Sequence, residues 1–149
     1  MQRATLVQDK TGSRTSHRTV IQPPRVLLAE NDGGLRRELT LALGRRGYEV
    51  LEAADGHAAL ELLGTHMLYR DAPDLIIADV RLPRCSGLAL LCLVRKMSWP
   101  TPVVVITAVG DRISHTEALR LGAAAVFFAD EPFDVDRLCA FAHGVVPPD

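Results

Sequence analysis

From Arg25 to Gly144 the sequence repeats one unit five times: a short continuous apolar run, then a stretch with apolar residues at helical spacing. The runs are Val26–Ala29, Leu75–Ala78, Val103–Ile106 and Ala124–Phe128, and Tyr48–Leu51, interrupted by Glu49, is the second strand candidate. Apolar runs without polar alternation suit strands buried on both faces. Leu35, Leu39, Ala42 and Leu43 line a first helix, which stops near Gly44 and Gly47. Gly56 opens a second, with Leu60, Leu63 and Met67 on one face, and Ser86 to about Met97 forms a third. Asp111 caps a fourth that runs to Leu121 and ends at Gly122. Pro132 suits the first position of a fifth, lined by Val135, Leu138, Cys139 and Ala142. This alternation predicts an α/β fold: a doubly wound parallel sheet with helices on both faces and right-handed crossovers. In such sheets function gathers at the carboxyl ends of the strands.

Composition narrows the partners. At 149 residues the chain holds one ordinary domain. The longest apolar runs, such as Ala123–Ala129, are far short of the roughly 20 residues of a membrane span. A net charge of -1 gives no reason to expect nucleic acid or an anionic membrane as partner. Cys85, Cys92 and Cys139 show neither metal spacing nor a disulfide framework, so a reducing cytoplasm is the expected setting. His57, His66, His115 and His143 show no ligand spacing, and Trp99, in a loop before Pro100, hints at a contact surface. Residues 1–24 are rich in Thr, Ser, Gln and Arg, end at Pro23-Pro24 and carry +3, leaving -4 for the rest. They are expected to form a disordered arm, 25–144 the domain and 145–149 a short tail.

The first apolar run ends in Glu30-Asn31-Asp32, the third in Asp79 and the fourth in Thr107-Ala108. If strands one and three are neighbours, carboxylates converge there, which is costly unless a cation sits among them. Oxygen ligands with one or two carboxylates suit Mg²⁺. A carboxylate beside such a metal can attack a phosphoryl group and form an acyl phosphate, with Thr107 donating to a phosphoryl oxygen.

On the segments RVLLAEND at 25–32, PDLIIADVRLPRCSG at 73–87, PVVVITA at 102–108 and EALRLGA at 117–123, the chain resembles the receiver (CheY-like) domains of two-component response regulators. The resemblance implies a flavodoxin-like (βα)5 fold with strand order 2-1-3-4-5. It implies a non-enzymatic signalling module that takes a phosphoryl group on Asp79 from a sensor histidine kinase or phosphotransfer protein. It implies Mg²⁺ held by Glu30, Asn31, Asp79 and the backbone carbonyl of Arg81. Thr107 is then the switch hydroxyl, small Ala108 leaves the site open to the donor, and a downstream protein docks at about 112–143. Only a few residues follow the last helix, so no DNA-binding or catalytic effector is expected within the chain as given.

The sequence departs from the family pattern at two places. Asn31 stands where an Asp usually binds metal, so Mg²⁺ binding is expected to be weak. After the fifth strand the family places a Lys before a Pro. Counted without gaps that position is Ala129; aligned on Pro132 it is Glu131. Of 17 basic residues only Lys10 and Lys96 are lysines, so none can serve under either alignment. Asp130 and Glu131 are well placed to cap the last helix. The switch aromatic is Val126 without gaps and Phe128 with them. Arg81 borders the site and could pair with Glu30 or grip a phosphoryl oxygen.

Two other readings compete with the phospho-acceptor. One is a degenerate receiver that works as an interaction module without phosphorylation. The other is a different enzyme on a similar sheet. A haloacid-dehalogenase-type phosphatase needs a second Asp where Arg81 stands. A flavin site needs more than Gly33-Gly34 beside Glu30 and Asp32, whose charges repel a flavin phosphate.

Overall fold

The computed structural model describes residues 3–8, 17–68, 71–130 and 132–148. The elements are β1 (Arg3–Gln8), β2 (His17–Gln22), β3 (Arg25–Ala29), α1 (Gly33–Arg45), β4 (Glu49–Ala53), α2 (Gly56–Leu68) and β5 (Leu75–Asp79). They continue through α3 (Gly87–Lys96), β6 (Val103–Thr107), α4 (Arg112–Arg120), β7 (Ala125–Phe128) and α5 (Val135–Val145). The five-stranded sheet has the order β4-β3-β5-β6-β7 and every pair in it is parallel, which is the expected 2-1-3-4-5 winding.

The continuous apolar strands explain how one sheet serves two cores. Successive side chains point to opposite faces. Val26 and Leu28 of β3, Leu75 and Ile77 of β5, and Val104 and Ile106 of β6 pack with Leu39, Leu43, Leu138 and Ala142 of α1 and α5. Their neighbours Leu27, Ala29, Ile76, Ala78, Val103 and Val105 pack with Ala59, Leu63, Leu90, Leu91 and Ala118 of α2, α3 and α4. The middle strands β5 and β6 are buried along their whole length.

Within the stretch expected to form a disordered arm, the described segments β1 and β2 pair antiparallel, from Arg3 opposite Gln22 to Gln8 opposite His17. Thr5, Val7, Thr19, Val20 and Ile21 are β-branched and suit extended backbone; the absence of helical periodicity concealed this. Trp99 is half-buried against the α2–α3–α4 core, so only part of its ring remains for a contact surface.

One expectation is corrected: the last helix begins later than Pro132 suggests. Its cap is Asp134, whose carboxylate accepts from the backbone N–H of Arg137 at 3.0 Å. Asp130 lies before the bend at Pro132, and Glu131 lies outside the described residues. A carboxylate that satisfies an orphan helix N–H contributes about 1 kcal/mol. Asp134→Ala should therefore lower stability by about that much in urea unfolding, while Asp130→Ala should leave it nearly unchanged. Equal losses in the two variants would contradict this assignment of the cap.

Candidate functional site

The parallel register carries the candidate residues to one edge. Ala29 pairs with Ala78, so Glu30 and Asp79 leave adjacent strands side by side. Asp79 pairs with Ile106, which places Thr107 one position further on the next strand. Glu30, Asp79 and Thr107 are the only buried polar or charged residues among the described ones, each at most 1% exposed. An apolar core tolerates buried polar groups only where something pairs them.

Part of that pairing is internal. Glu30 Oε2 accepts from the backbone N–H of Asp32 at 3.0 Å, and the carbonyl of Glu30 accepts from Arg36 Nη1 at 2.8 Å. Glu30 Oε1 and Thr107 Oγ1 are buried with no hydrogen-bond partner. Each unpartnered buried polar atom costs about 1–3 kcal/mol, so a ligand that reached both would be rewarded. Burial is the main reason that the Glu30 carboxyl is pushed up to about 7, with the Asp79 charge adding to the rise. The Asp32 amide and the Arg81 charge pull it the other way. Asp111, the α4 cap, is held below the usual carboxylate range chiefly by Ser114. It also feels the Thr107 hydroxyl, although no partner stands within hydrogen-bond distance of that oxygen.

Arg81 forms its salt bridge with Asp79 and not with Glu30, the partner that the sequence suggested first. Its guanidinium grips Asp79 itself: Nε donates to Oδ1 at 3.1 Å and Nη2 to Oδ2 at 2.9 Å. The backbone N–H of Arg81 also donates to Oδ1, at 2.7 Å. The pair joins a carboxylate that is 2% exposed to a side chain that is 55% exposed.

The remaining candidates lie around this centre. Asn31 is exposed. Asp32 is committed to the α1 cap, its Oδ1 accepting from Gly34 at 2.9 Å and Leu35 at 3.2 Å. Ala108 is half-buried just past β6. Phe128 pairs in register with Thr107 and sets its ring edge-on against His115, 5.3 Å between centroids. Ala129 follows β7 directly and donates its N–H to the Thr107 carbonyl at 2.8 Å. It lines a cleft of 390 Å³ with Asp32, Glu38, Arg81, Asp130 and Phe133. Two close approaches had no signal in the sequence. A Cβ at Gly87 would lie 2.5 Å from the Asp79 carbonyl oxygen, and one at Gly56 would lie 1.9 Å from that of Cys85.

The donor set fits a divalent cation in kind. Two buried carboxylates adjoin, one has a free oxygen, and hard oxygen ligands are what Mg²⁺ takes. Among the described residues no group of three or more His, Cys, Asp or Glu could hold a metal. The set is therefore thin in charge, and Arg81 already stands on Asp79.

Comparison with known proteins agrees with the fold. Residues 26–142 match the family model described as response regulator receiver domain. Regulatory protein AtoC of Escherichia coli is 32% identical over 114 residues, covering 76% of this chain and 23% of AtoC. Response regulator MprA of Mycolicibacterium vanbaalenii is 34% identical over 118 residues, covering 79% of this chain and 48% of MprA. The chain thus matches less than half the length of these relatives. The receiver domain of NtrX from Brucella abortus superposes with a TM-score of 0.71 at 29% identity, covering 81% of this chain and 97% of that one. Chemotaxis protein CheY4 of Vibrio cholerae gives 0.70 at 28% identity, covering 83% and 99%.

Proposed function

Because the chain belongs to the response regulator receiver family of two-component signalling, typically non-catalytic modules served by a cognate histidine kinase, we propose that it accepts a phosphoryl group on Asp79 and answers through protein–protein contacts. The observation that carries this reading is the isolation of Glu30, Asp79 and Thr107 as the buried polar residues at adjoining strand ends. The receiver unit is taken as residues 25–144.

The transfer is a displacement at phosphorus. An Asp79 carboxylate oxygen attacks the phosphoryl group of a phosphohistidine; the P–N bond breaks, an acyl O–P bond forms, and the imidazole leaves and takes a proton. The Arg81 backbone N–H fixes Oδ1, so the carboxylate is oriented before the donor arrives. Thr107 supplies a hydroxyl with no competing partner for a phosphoryl oxygen. Small Ala108 leaves the approach open. Glu30, Asn31, Asp79 and the Arg81 carbonyl would hold Mg²⁺, which when bound neutralises charge on the phosphoryl oxygens. With Asn31 in the set and Ala129 at the end of β7, this site has fewer charges than its family pattern, so transfer is expected to be slow.

Phe128, in register with Thr107, offers a route from the site to the surface at about 112–143, where a downstream protein would dock. Among the described residues no helix is long and apolar enough to cross a membrane, and the three cysteines are free. Both facts suit a cytoplasmic setting. A second reading, an interaction module that works without phosphorylation, is favoured by one observation: Arg81 occupies both Asp79 oxygens.

Intact mass after incubation with Mg²⁺ and acetyl phosphate separates the two. The first reading expects a single-phosphate adduct on the wild type and none on Asp79→Ala. No adduct on the wild type, or one that survives in Asp79→Ala, would overturn it.

A further inference from the structure

We propose that Arg81 is a tethered counter-ion that closes the Asp79 site, its guanidinium competing with a divalent cation for the carboxylate and leaving it only when it swings into the neighbouring cleft. The inference rests on the reading of Asp79 as the acceptor and deepens it. Two hydrogen bonds, 3.1 and 2.9 Å, hold the guanidinium across both carboxylate oxygens. Fork-on-carboxylate pairing is geometrically specific and stronger than a point contact. It also uses the oxygens that a metal ion or a phosphorus atom would need.

The pair is built to open. More than half of the Arg81 side chain is in solvent, so water can replace Asp79 around the guanidinium, while the buried carboxylate needs another cation when it is left. The cleft beside it offers a second resting place. It is lined by three acidic residues, Asp32, Glu38 and Asp130, and by the short side chain of Ala129. When the side chain leaves, the backbone N–H of Arg81 stays on Oδ1 at 2.7 Å. Opening therefore uncovers a carboxylate that is already oriented.

The charge count favours the closed state. Among the described residues Glu30 is the only other buried carboxylate, so little negative charge draws a divalent cation in against the tethered one. Removing the guanidinium should strengthen Mg²⁺ binding roughly tenfold, as the loss of a charge-assisted pair with one buried partner implies.

The test is calorimetric titration of the full chain with MgCl₂ in wild type, Arg81→Met and Arg81→Lys. Arg81→Met keeps the apolar stem and loses the charge. The expected order of affinity is Arg81→Met, then Arg81→Lys, then wild type. Equal affinity in all three, including no binding in any, would overturn the proposal. Should Arg81→Met fail to fold in EDTA, thermal melting of Arg81→Lys decides: a larger Mg²⁺-induced rise in Tm than the wild type supports competition, and the same rise overturns it. These readouts need no phosphoryl transfer. Tighter Mg²⁺ binding by Arg81→Met with no phosphate adduct on any folded variant would leave the gate standing and remove the acceptor role.

Discussion

Gly56→Ala should destabilise the domain by roughly 3 kcal/mol or more, lowering Tm by about 10 °C. A methyl at this position would lie 1.9 Å from the Cys85 carbonyl oxygen and 2.4 Å from the Cys85 Cβ. Neither neighbour is the end of a flexible side chain, so the backbone has to move. The Gly56 N–H donates to the Pro83 carbonyl at 3.0 Å, and that bond would be displaced as well. The loop it presses on runs from Asp79 to α3 and includes Arg84 at a φ of 72°, a region that non-glycine residues seldom occupy. That loop has little room to yield. Gly64→Ala on the same helix should have the opposite sign. Nothing lies within 4 Å of a Cβ there, and the methyl removes the cost of a glycine in a helix interior, up to about 1 kcal/mol. Thermal melting of the two variants checks both; a Gly56→Ala that melts with the wild type would show that the α2–loop contact is looser than the distances state.

Gly56 also marks a boundary of what the sequence discloses. As a residue opening an apolar-periodic stretch, it reads as a helix start, and α2 does start there. Its reason for being glycine is a contact with Cys85 across the α2–loop junction, which no local pattern encodes. The strands were legible because burial on both faces leaves an unbroken apolar run, as in Leu75–Ala78 and Val103–Ile106. The edge strand was less so. Tyr48, read as the start of the second strand, precedes β4 and donates its hydroxyl to the Val146 carbonyl at 2.7 Å. Asp111 was legible as a cap because the apolar spacing begins right after it, whereas Pro132 drew the start of α5 too early and hid Asp134.

The site divides in the same way. Parallel register converts strand-end residues into neighbours, so Glu30, Asp79 and Thr107 could be grouped once the strands were placed. The direction of Arg81 could not. The turn after β5 aims both its backbone N–H and its guanidinium at Asp79, which depends on loop geometry and not on residue type. The arginine-for-lysine bias in composition thus has a structural counterpart. The chain has no lysine after Lys96, and the cation that does stand on the candidate acceptor is an arginine two residues beyond it.

In EDTA the stability of the domain should fall as pH rises from about 5 to about 8, by up to about 3 kcal/mol. Glu30 is the cause. Its carboxyl has an ordinary value of 4.5 and is pushed up to about 7, first by burial and then by the Asp79 charge. A group raised on folding holds its proton more tightly in the native state. Its contribution is complete below the unfolded value and is lost as pH rises through the folded one. The window is therefore 4.5 to about 7. Asp71, Asp111 and Glu117 are shifted downward, so their contributions are present above the ordinary carboxylate range and are lost only as pH falls below it. They do not offset Glu30 in its own window. Glu30→Gln keeps the shape and removes the charge, so its unfolding free energy should be nearly flat across the window and should exceed the wild type at pH 8. Urea unfolding of both proteins at pH 5 and pH 8 reads this directly. A wild-type stability that rises with pH, or a Glu30→Gln slope equal to the wild type's, would mean that the buried Glu30 carboxyl is already compensated in the folded domain.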